Sequence, residues 1–310
     1  MTDPEPRNRA ESADAARRGG PETPKWAVSA LRAEAIEVLS RAGVPSAEVD
    51  AELLIGYVLG MSRGQVQAKA LTGAEVAGEQ EAAIRALVER RAAREPLQHI
   101  TGRAAFRSLE LAVGPGVFVP RPETEFVAQI AIDALAAVPA AEPIAVDLGT
   151  GSGALALALA SEVANSRVFA VENSPEAFVW TQRNVAESRL DNVRAVFVDL
   201  VDALHELDGS VDVVVSNPPY IPAGAVPRDP EVRLFDPEAA LYGGEDGLDV
   251  VRQVSRTALR LLHPGGALVM EHGELQGAEI RNLLTADGWR AAATSRDLLG
   301  RDRATTAVRP

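Results

Sequence analysis

Cysteine is absent from the 310-residue sequence, which excludes disulfide bonds, thiolate metal ligands, a cysteine nucleophile and thiol redox chemistry. No apolar run approaches the roughly 18 residues that cross a bilayer, and no signal peptide is recognisable at the start of the sequence. We therefore expect a cytoplasmic protein without membrane partners.

Positive charge is also scarce, since the sequence has 31 basic and 44 acidic residues and therefore a formal net charge of −13. Binding to a phosphate backbone requires a basic face, so we expect no direct nucleic-acid partner. The four histidines are scattered and have no pair with the spacing of metal ligands, so we expect no metal site. The hydrophobic fraction, 46%, and the charged fraction, 24%, are those of a globular protein with one large or two smaller domains.

The pattern of apolar residues changes along the chain and predicts four segments. Residues 1–25 contain almost no large apolar side chain, and we interpret them as a disordered tail. Residues 26–95 repeat apolar positions at helical spacing and predict a small helical bundle. Residues 96–119 predict a β-hairpin connector, and residues 120–310 alternate strand and helix.

The connector is predicted from alternation over Phe106–Val113, followed by a turn at Gly114–Gly116. In the last segment, short β-rich runs separated by helices predict a mostly parallel sheet covered on both faces. The predicted strands are Ile144–Leu148, Val168–Val171, Val193–Val198, Val211–Ser216 and Ala267–Glu271, with a closing pair at Trp289–Thr294 and Thr305–Val308. The predicted helices are Ala154–Glu162, Pro175–Ser188, Leu248–Leu262 and Leu275–Asp287.

A glycine-rich loop follows the first predicted strand of this sheet. Its residues are Gly149, Thr150, Gly151, Ser152 and Gly153. Glycine lets a backbone turn sharply and approach a ligand closely, and nucleotide-like ligands bind at this edge of a parallel sheet. The spacing fits two ligand classes, dinucleotides and S-adenosylmethionine. Glu172, at the end of the second strand, is placed to accept the ribose hydroxyls that either ligand offers.

A tetrapeptide, Asn217, Pro218, Pro219 and Tyr220, follows the fourth predicted strand and reaches the same sheet edge. The Asn217 side-chain oxygen and the Pro218 carbonyl can each accept one N–H of a planar amide or aromatic amine, and Tyr220 offers a flat face. Such a nitrogen is a poor nucleophile. Holding both of its N–H groups orients it toward a sulfonium methyl and supports the positive charge that develops. The tetrapeptide therefore predicts methyl transfer to nitrogen, for which dehydrogenases have no use.

Further motifs accompany the glycine loop and the tetrapeptide, at Pro96–Gly102, Val119–Glu125, Gly243–Leu248 and Leu299–Arg303. In this order, over about 26–308, the sequence resembles the HemK/PrmC-type family of release factor glutamine methyltransferases. The resemblance implies a class I S-adenosylmethionine-dependent methyltransferase fold, Rossmann-like, with a seven-stranded and mostly parallel sheet behind a small helical bundle. It makes residues 120–310 the catalytic domain.

The resemblance also implies a reaction. A methyl group would pass from S-adenosyl-L-methionine to the side-chain amide nitrogen, N5, of the Gln in the Gly-Gly-Gln motif of peptide chain release factors. The product S-adenosyl-L-homocysteine would be released, and translation termination would be modulated. We expect a monomer whose partner is the release factor.

Roles follow by position from the same resemblance. The glycine loop would hold the methionine part of the cofactor, Glu172 the ribose, and Asp199 with Leu200 the adenine, although many relatives carry an aromatic residue in place of Leu200. Asn217 would contact cofactor and target, and the rest of the tetrapeptide would bind the target glutamine. The loop residues that would close over both ligands are Phe118, Pro120, Arg121, Glu123 and Thr124. An alternative for Arg121 and Glu123 is an ion pair that only shapes the loop.

Two other functions compete with this interpretation. An adenine-amine methyltransferase acting on DNA or RNA uses a similar tetrapeptide, and a protein that only binds the cofactor would need none. Residues 195–255 hold 12 acidic residues and three arginines, a net charge of −9 around the tetrapeptide. This charge disfavours a phosphate backbone and predicts attraction of a basic protein partner.

Overall fold

The computed structural model describes residues 25–310, and the chain divides into two compact units that meet between Ala93 and Arg94. Apart from Lys25, the predicted disordered tail lies outside the described residues. No helix of the described part of the chain combines the length and the apolar character needed to cross a membrane.

The first unit is built on four helices whose apolar faces pack together. They are α1 (Val28–Arg41), α2 (Ala47–Leu59), α3 (Arg63–Leu71) and α4 (Gly78–Ala92). A short antiparallel pair, β1 (Lys25–Ala27) with β2 (Glu75–Ala77), was not expected from the helical periodicity. The buried carboxylate of Glu52 accepts hydrogen bonds from Arg32 at 2.7 Å and Arg63 at 2.5 Å, so this charge inside the bundle is paired.

The second unit begins with α5 (Leu97–Thr101) and a hairpin of β3 (Arg103–Phe106) and β4 (Leu109–Ala112). The predicted turn at Gly114–Gly116 is present, with the Val117 N–H donating to the Gly114 carbonyl at 3.4 Å, but it does not close the hairpin, because the chain reverses at Arg107 and Ser108. Arg107 takes a left-handed φ of 52° and is anchored by ion pairing of its guanidinium with Glu162.

The glycines at 114 and 116 serve a different purpose. A Cβ on Gly114 would lie 2.6 Å from the Trp180 ring, and one on Gly116 would lie 2.9 Å from Glu176 Cβ. These glycines let the backbone lie against a helix of the second unit rather than reverse a hairpin.

The second unit is organised around one seven-stranded sheet, in the order β10-β11-β9-β8-β5-β6-β7. Only β11 runs antiparallel to the rest. The strands are β5 (Ile144–Leu148), β6 (Arg167–Glu172), β7 (Val193–Phe197), β8 (Val211–Ser216), β9 (Leu262–Glu271), β10 (Arg290–Arg296) and β11 (Asp302–Val308). The predicted mostly parallel sheet is confirmed.

The remaining helices are α6 (Thr124–Ala136), α7 (Ala154–Glu162), α8 (Pro175–Ser188), α9 (Pro230–Phe235), α10 (Glu238–Leu241), α11 (Asp249–Leu261) and α12 (Gly277–Ala286), with short 3-10 turns at Leu200–Asp202 and His205–Leu207. Of these, α6, α7, α8, α11 and α12 pack against the strands and cover both faces of the sheet. Helix α7 is buried on every side from Ala154 to Ala160, which explains its nearly continuous Ala/Leu sequence. Because β5, β6, β8 and β9 are parallel, their carboxyl ends meet at one edge, where polar side chains collect.

Candidate active site

A cavity of about 660 Å³ opens at the carboxyl ends of these strands, a size that suits a small-molecule ligand. Most of the residues predicted from sequence line it together: Phe118, Pro120, Arg121, Glu123, Thr124, Gly149, Thr150, Gly151, Ser152, Glu172, Leu200, Asn217, Pro218, Pro219 and Tyr220. Two predicted residues, Gly153 and Asp199, are not among its lining. The fold thus joins the glycine loop and the tetrapeptide in one cavity.

The glycine loop owes its shape to left-handed backbone conformations. Gly149 has a φ of 73° and Gly151 a φ of 58°, and no heavy atom lies within 4 Å of a Cβ built on either. The loop thus leaves open space where its backbone passes the cavity, as a close-fitting ligand requires. Gly153, with a φ of 88°, instead forms the residue before α7.

The buried carboxylate of Asp147, at the end of β5, fixes the conformation of the glycine loop. Asp147 Oδ2 accepts hydrogen bonds from Thr150 Oγ1 at 2.5 Å and from the Ala156 N–H at 3.1 Å. Burial raises the pKa of Asp147 to about 7, against the opposing effect of these hydrogen bonds. Asp147 therefore fixes the loop to the first turn of α7 without lining the cavity.

Glu172 is held at the cavity wall by backbone amides. Its Oε2 accepts from the Gly151 N–H at 2.8 Å, and its Oε1 accepts from the N–H groups of Asn173 at 3.0 Å and Ser174 at 2.9 Å. A carboxylate has about four acceptor positions, so Oε2 keeps capacity for a hydroxyl in the cavity. This rigid acceptor beside an open glycine backbone fits the ribose of an adenosine-containing ligand.

The residues predicted to face adenine separate in the structure. Leu200 is buried and lines the cavity with an apolar surface. Asp199 directs its oxygens elsewhere, since Oδ1 accepts from the Val201 N–H at 3.0 Å and Oδ2 accepts from Asn173 Nδ2 at 3.0 Å. Asp199 thus caps the 3-10 turn that presents Leu200, and its contact with a cofactor stays a prediction.

The tetrapeptide is tied to the glycine loop through β8. Ser216 Oγ donates to the Leu148 carbonyl at 2.7 Å and joins the ends of the two central strands. Burial raises the pKa of the Tyr220 phenol, so its hydroxyl stays protonated at neutral pH. The carbonyl of Tyr220 accepts from Gln276 Nε2 at 2.9 Å, which fixes the far end of the tetrapeptide.

Two glycines of the Gly243–Leu248 motif press directly against the tetrapeptide backbone. A Cβ on Gly243 would lie 2.5 Å from the Pro219 carbonyl oxygen, and one on Gly247 would lie 2.4 Å from that of Tyr220. Any larger residue would have to displace these carbonyls. The Gly243–Leu248 motif therefore packs against the tetrapeptide backbone and fixes its position.

The loop before α6 is anchored by a partner that the sequence did not reveal. Arg121 Nη2 lies 2.5 Å from Asp236 Oδ2, and its guanidinium lies 4.8 Å from the Phe118 ring centroid. The predicted alternative, an ion pair between Arg121 and Glu123, is not formed in the described residues, where Arg121 pairs with Asp236 instead. Glu123 lines the cavity next to the tetrapeptide.

Sequence reasoning missed three contributors to the site. Helix α6 was not predicted, yet its first residue, Thr124, lies 3.5 Å from Asn217 Nδ2 through Oγ1. The segment 227–241 supplies cavity lining that carried no recognisable motif. Glu271 was read only as the end of a strand, and its burial beside Asn217 depends on strand register. His272, the next residue, is buried, and its Nε2 forms a hydrogen bond with Thr305 Oγ1 at 2.9 Å.

Comparison with known proteins agrees with this geometry. Residues 30–102 match the family described as PrmC N-terminal domain, and residues 109–236 match the methyltransferase small domain. The chain is 52% identical over 277 residues to the release factor glutamine methyltransferase of Streptomyces coelicolor, covering 89% of this chain and 95% of the relative. It is 44% identical over 225 residues to a 4-amino-L-phenylalanine/4-methylamino-L-phenylalanine methyltransferase of Streptomyces pristinaespiralis, covering 72% and 76% of the two chains.

Among solved structures, a T. thermophilus 16S rRNA methyltransferase in complex with AdoMet and guanosine aligns with a TM-score of 0.50 at 22% identity. The alignment covers 67% of this chain and 50% of that one, and it supports the methyltransferase fold of the second unit. The extent and identity of the match to the Streptomyces coelicolor relative decide the family: this chain belongs to the release factor glutamine methyltransferases.

Proposed function

We propose that this protein transfers a methyl group from S-adenosyl-L-methionine to the side-chain N5 of the Gln in the Gly-Gly-Gln motif of peptide chain release factors. The observation that carries the proposal is the shared cavity. Asn217–Tyr220 lines the same 660 Å³ space as the open glycine backbone and Glu172. An acceptor pair for a planar amide therefore lies beside a cradle for an adenosine-containing methyl donor.

The donor supplies an electrophilic methyl on a sulfonium. Glu172 Oε2 would accept a hydrogen bond from a ribose hydroxyl, and Leu200 would pack against the adenine. The glycine loop would let the methionine part lie close to the backbone. Asn217 Oδ1 and the Pro218 carbonyl accept the two N–H groups of the target amide and orient its nitrogen toward the methyl.

These acceptors act most strongly in the transition state. The S–CH₃ bond breaks with its electron pair left on sulfur while the N–CH₃ bond forms, so positive charge grows on nitrogen. Both carbonyl oxygens then hold N–H groups that have become more acidic, which stabilises the transition state more than the bound amide. The proton leaves the nitrogen after transfer, so no strong base is needed before attack.

A direct test incubates the protein with isotopically labelled S-adenosylmethionine and an intact release factor, and locates the label by mass spectrometry. We expect one methyl on the Gly-Gly-Gln glutamine and none on a factor in which that Gln is replaced. Parallel incubations contain DNA, RNA and 4-amino-L-phenylalanine. Label on adenine would overturn the proposal in favour of a nucleic-acid methyltransferase.

The arylamine 4-amino-L-phenylalanine is tested separately because the Streptomyces pristinaespiralis relative is named for that substrate. An aromatic amine also presents a planar nitrogen with two N–H groups, so the acceptor pair alone does not separate it from an amide. A higher kcat/KM for 4-amino-L-phenylalanine than for the release factor would replace the proposed substrate with a small molecule.

We further propose that the negative charge around the tetrapeptide steers a basic protein partner, since residues 195–255 carry a net charge of −9. Raising the salt concentration should then lower kcat/KM for the intact release factor, on the order of 10-fold between about 50 and about 300 mM. A short uncharged Gly-Gly-Gln peptide should show a much weaker dependence. Equal salt dependence for both substrates would contradict the steering.

A further inference from the structure

A buried carboxylate behind the tetrapeptide has no part in the mechanism described so far. Glu271 is the last residue of β9 and is 1% exposed. Strand β9 pairs with β8 so that Met270 lies beside Ser216, which brings Glu271 level with Asn217. A full negative charge at such a position is costly unless it holds hydrogen-bond donors.

The polar side chains around Glu271 belong to the site. Those of Thr124 and Asn217 favour the ionised form of its carboxylate. Asn217 Nδ2 also lies 3.5 Å from Thr124 Oγ1, so the three side chains form one polar cluster. Glu271 Oε2 has no hydrogen-bond partner within the described residues, so the carboxylate is not saturated by structural contacts.

The neighbouring charges have opposite effects on the ionisation of the Glu271 carboxylate. Arg303, on the neighbouring β11, favours its ionised form, whereas Glu123, on the loop before α6, opposes it. Burial outweighs the favourable contacts and raises the pKa of Glu271 to about 7. Tyr220 and His272 also lie nearby; burial raises the pKa of the Tyr220 phenol and lowers the pKa of the His272 imidazole.

The chemistry of Asn217 gives this cluster a purpose. An asparagine amide has nearly the same shape in its two flipped orientations, but only one of them turns Oδ1 toward the target. The other orientation turns Nδ2 toward the N–H groups of the substrate, and two hydrogen-bond donors cannot pair. An ionised carboxylate only accepts hydrogen bonds, so it binds Nδ2 and selects the productive orientation.

We propose that Glu271 is a positioning residue that acts through Asn217, holding Nδ2 so that Oδ1 faces the target nitrogen. The proposal rests on the proposed function, because it assigns Glu271 a part in binding the same amide. Glu271 is not among the residues that line the cavity, so the proposed role is exerted through Asn217.

The first test replaces Glu271 by glutamine, which keeps the shape and removes the acceptor-only character. A glutamine can present either end of its amide, so the bias on Asn217 is lost. We expect kcat for the release factor to fall roughly 10- to 100-fold, with little change in the binding of S-adenosylmethionine. Glu271→Asp, less similar in shape but still acceptor-only, should recover part of kcat.

The pH dependence of kcat distinguishes a positioning role of Glu271 from a packing role. Wild-type kcat should fall as the pH drops below about 7, because protonation of Glu271 at its raised pKa removes the acceptor-only group. Glu271→Asp should retain such an acidic limb, and Glu271→Gln should lose it. Asp212→Asn is the matched control, since Asp212 is a half-buried carboxylate at the opposite end of β8 and binds the Ile144 N–H.

Thermal stability provides an independent readout. A carboxyl whose folded-state pKa lies above its unfolded value favours folding at low pH and loses that contribution as the pH rises through the folded pKa. At pH 8 the ionised Glu271 therefore opposes folding, so the Tm of Glu271→Gln should equal or exceed that of the wild type. Lower activity at equal or higher Tm is the signature of positioning.

Two results would overturn the assignment. Unchanged kcat in Glu271→Gln, alongside an active wild type, would remove the role of Glu271 and leave the proposed function standing. A kcat loss accompanied by a lower Tm, with the acidic limb still present, would make Glu271 a packing residue only. A wild type that leaves the Gly-Gly-Gln glutamine unmethylated would overturn the proposed function itself, and the role of Glu271 with it.

Discussion

Replacing Asn217 by alanine is expected to lower kcat for the release factor by about 10²- to 10³-fold, with little loss of S-adenosylmethionine binding. In the proposed mechanism Asn217 Oδ1 supports the positive charge that develops on nitrogen during methyl transfer, whereas the glycine loop and Glu172 would provide most of the cofactor binding. Single-turnover transfer of a labelled methyl and calorimetric titration with the cofactor measure the two effects separately.

The control for this variant is Asn165→Ala. Asn165 is an exposed asparagine that donates to the Ala141 carbonyl at 3.0 Å and lies outside the cavity lining. It should leave kcat unchanged. If Asn217→Ala lost cofactor affinity and turnover in equal measure, Asn217 would be a binding residue for the donor, and the acceptor-pair mechanism would be wrong.

Replacing Gly247 by alanine is expected to abolish measurable turnover, a loss of at least about 10²-fold. Its new Cβ would stand 2.4 Å from the Tyr220 carbonyl oxygen, on a backbone with a φ of 79°. Tyr220 or the Gly243–Leu248 loop must therefore move, and the left-handed conformation adds roughly 1–2 kcal/mol of strain. Initial rates and the melting temperature of the purified variant test this expectation.

Gly300→Ala separates the strain from the collision. Gly300 also has a left-handed φ, 78°, but a Cβ there meets no heavy atom within 4 Å. It should lose a similar amount of stability to backbone strain while keeping normal turnover. Comparable activity losses in both variants would show that strain, and not displacement of the tetrapeptide, explains the Gly247 phenotype.

Local sequence patterns placed the elements that carry a periodic or a nearly continuous apolar pattern. The predicted bounds of α7 and α8 match the observed ones, as do those of β5 and β8. Prediction failed where a distant partner decided the conformation. The hairpin turns at Arg107 because that residue is anchored to Glu162, 55 residues away, and no local pattern encodes such a contact.

The sequence by itself determined the chemistry proposed for this protein. The backbone of Gly149–Gly153 predicts close approach to a cofactor, and the oxygens of Asn217–Tyr220 predict binding of an amide, because both signals lie in consecutive residues. The net negative charge of residues 195–255, which contain the tetrapeptide, is likewise a property of composition.

Only the tertiary structure decided how that chemistry is held in place. Arg121 finds Asp236 across 115 residues, Asn217 meets Thr124 across 93, and Gly247 meets Tyr220 through a tight backbone contact. Glu271 comes to lie behind Asn217 through the register of two parallel strands. Register, burial and the pairing of distant charges are set by the packing of the whole sheet, so the residues proposed to orient the acceptor pair could be found only in the tertiary structure.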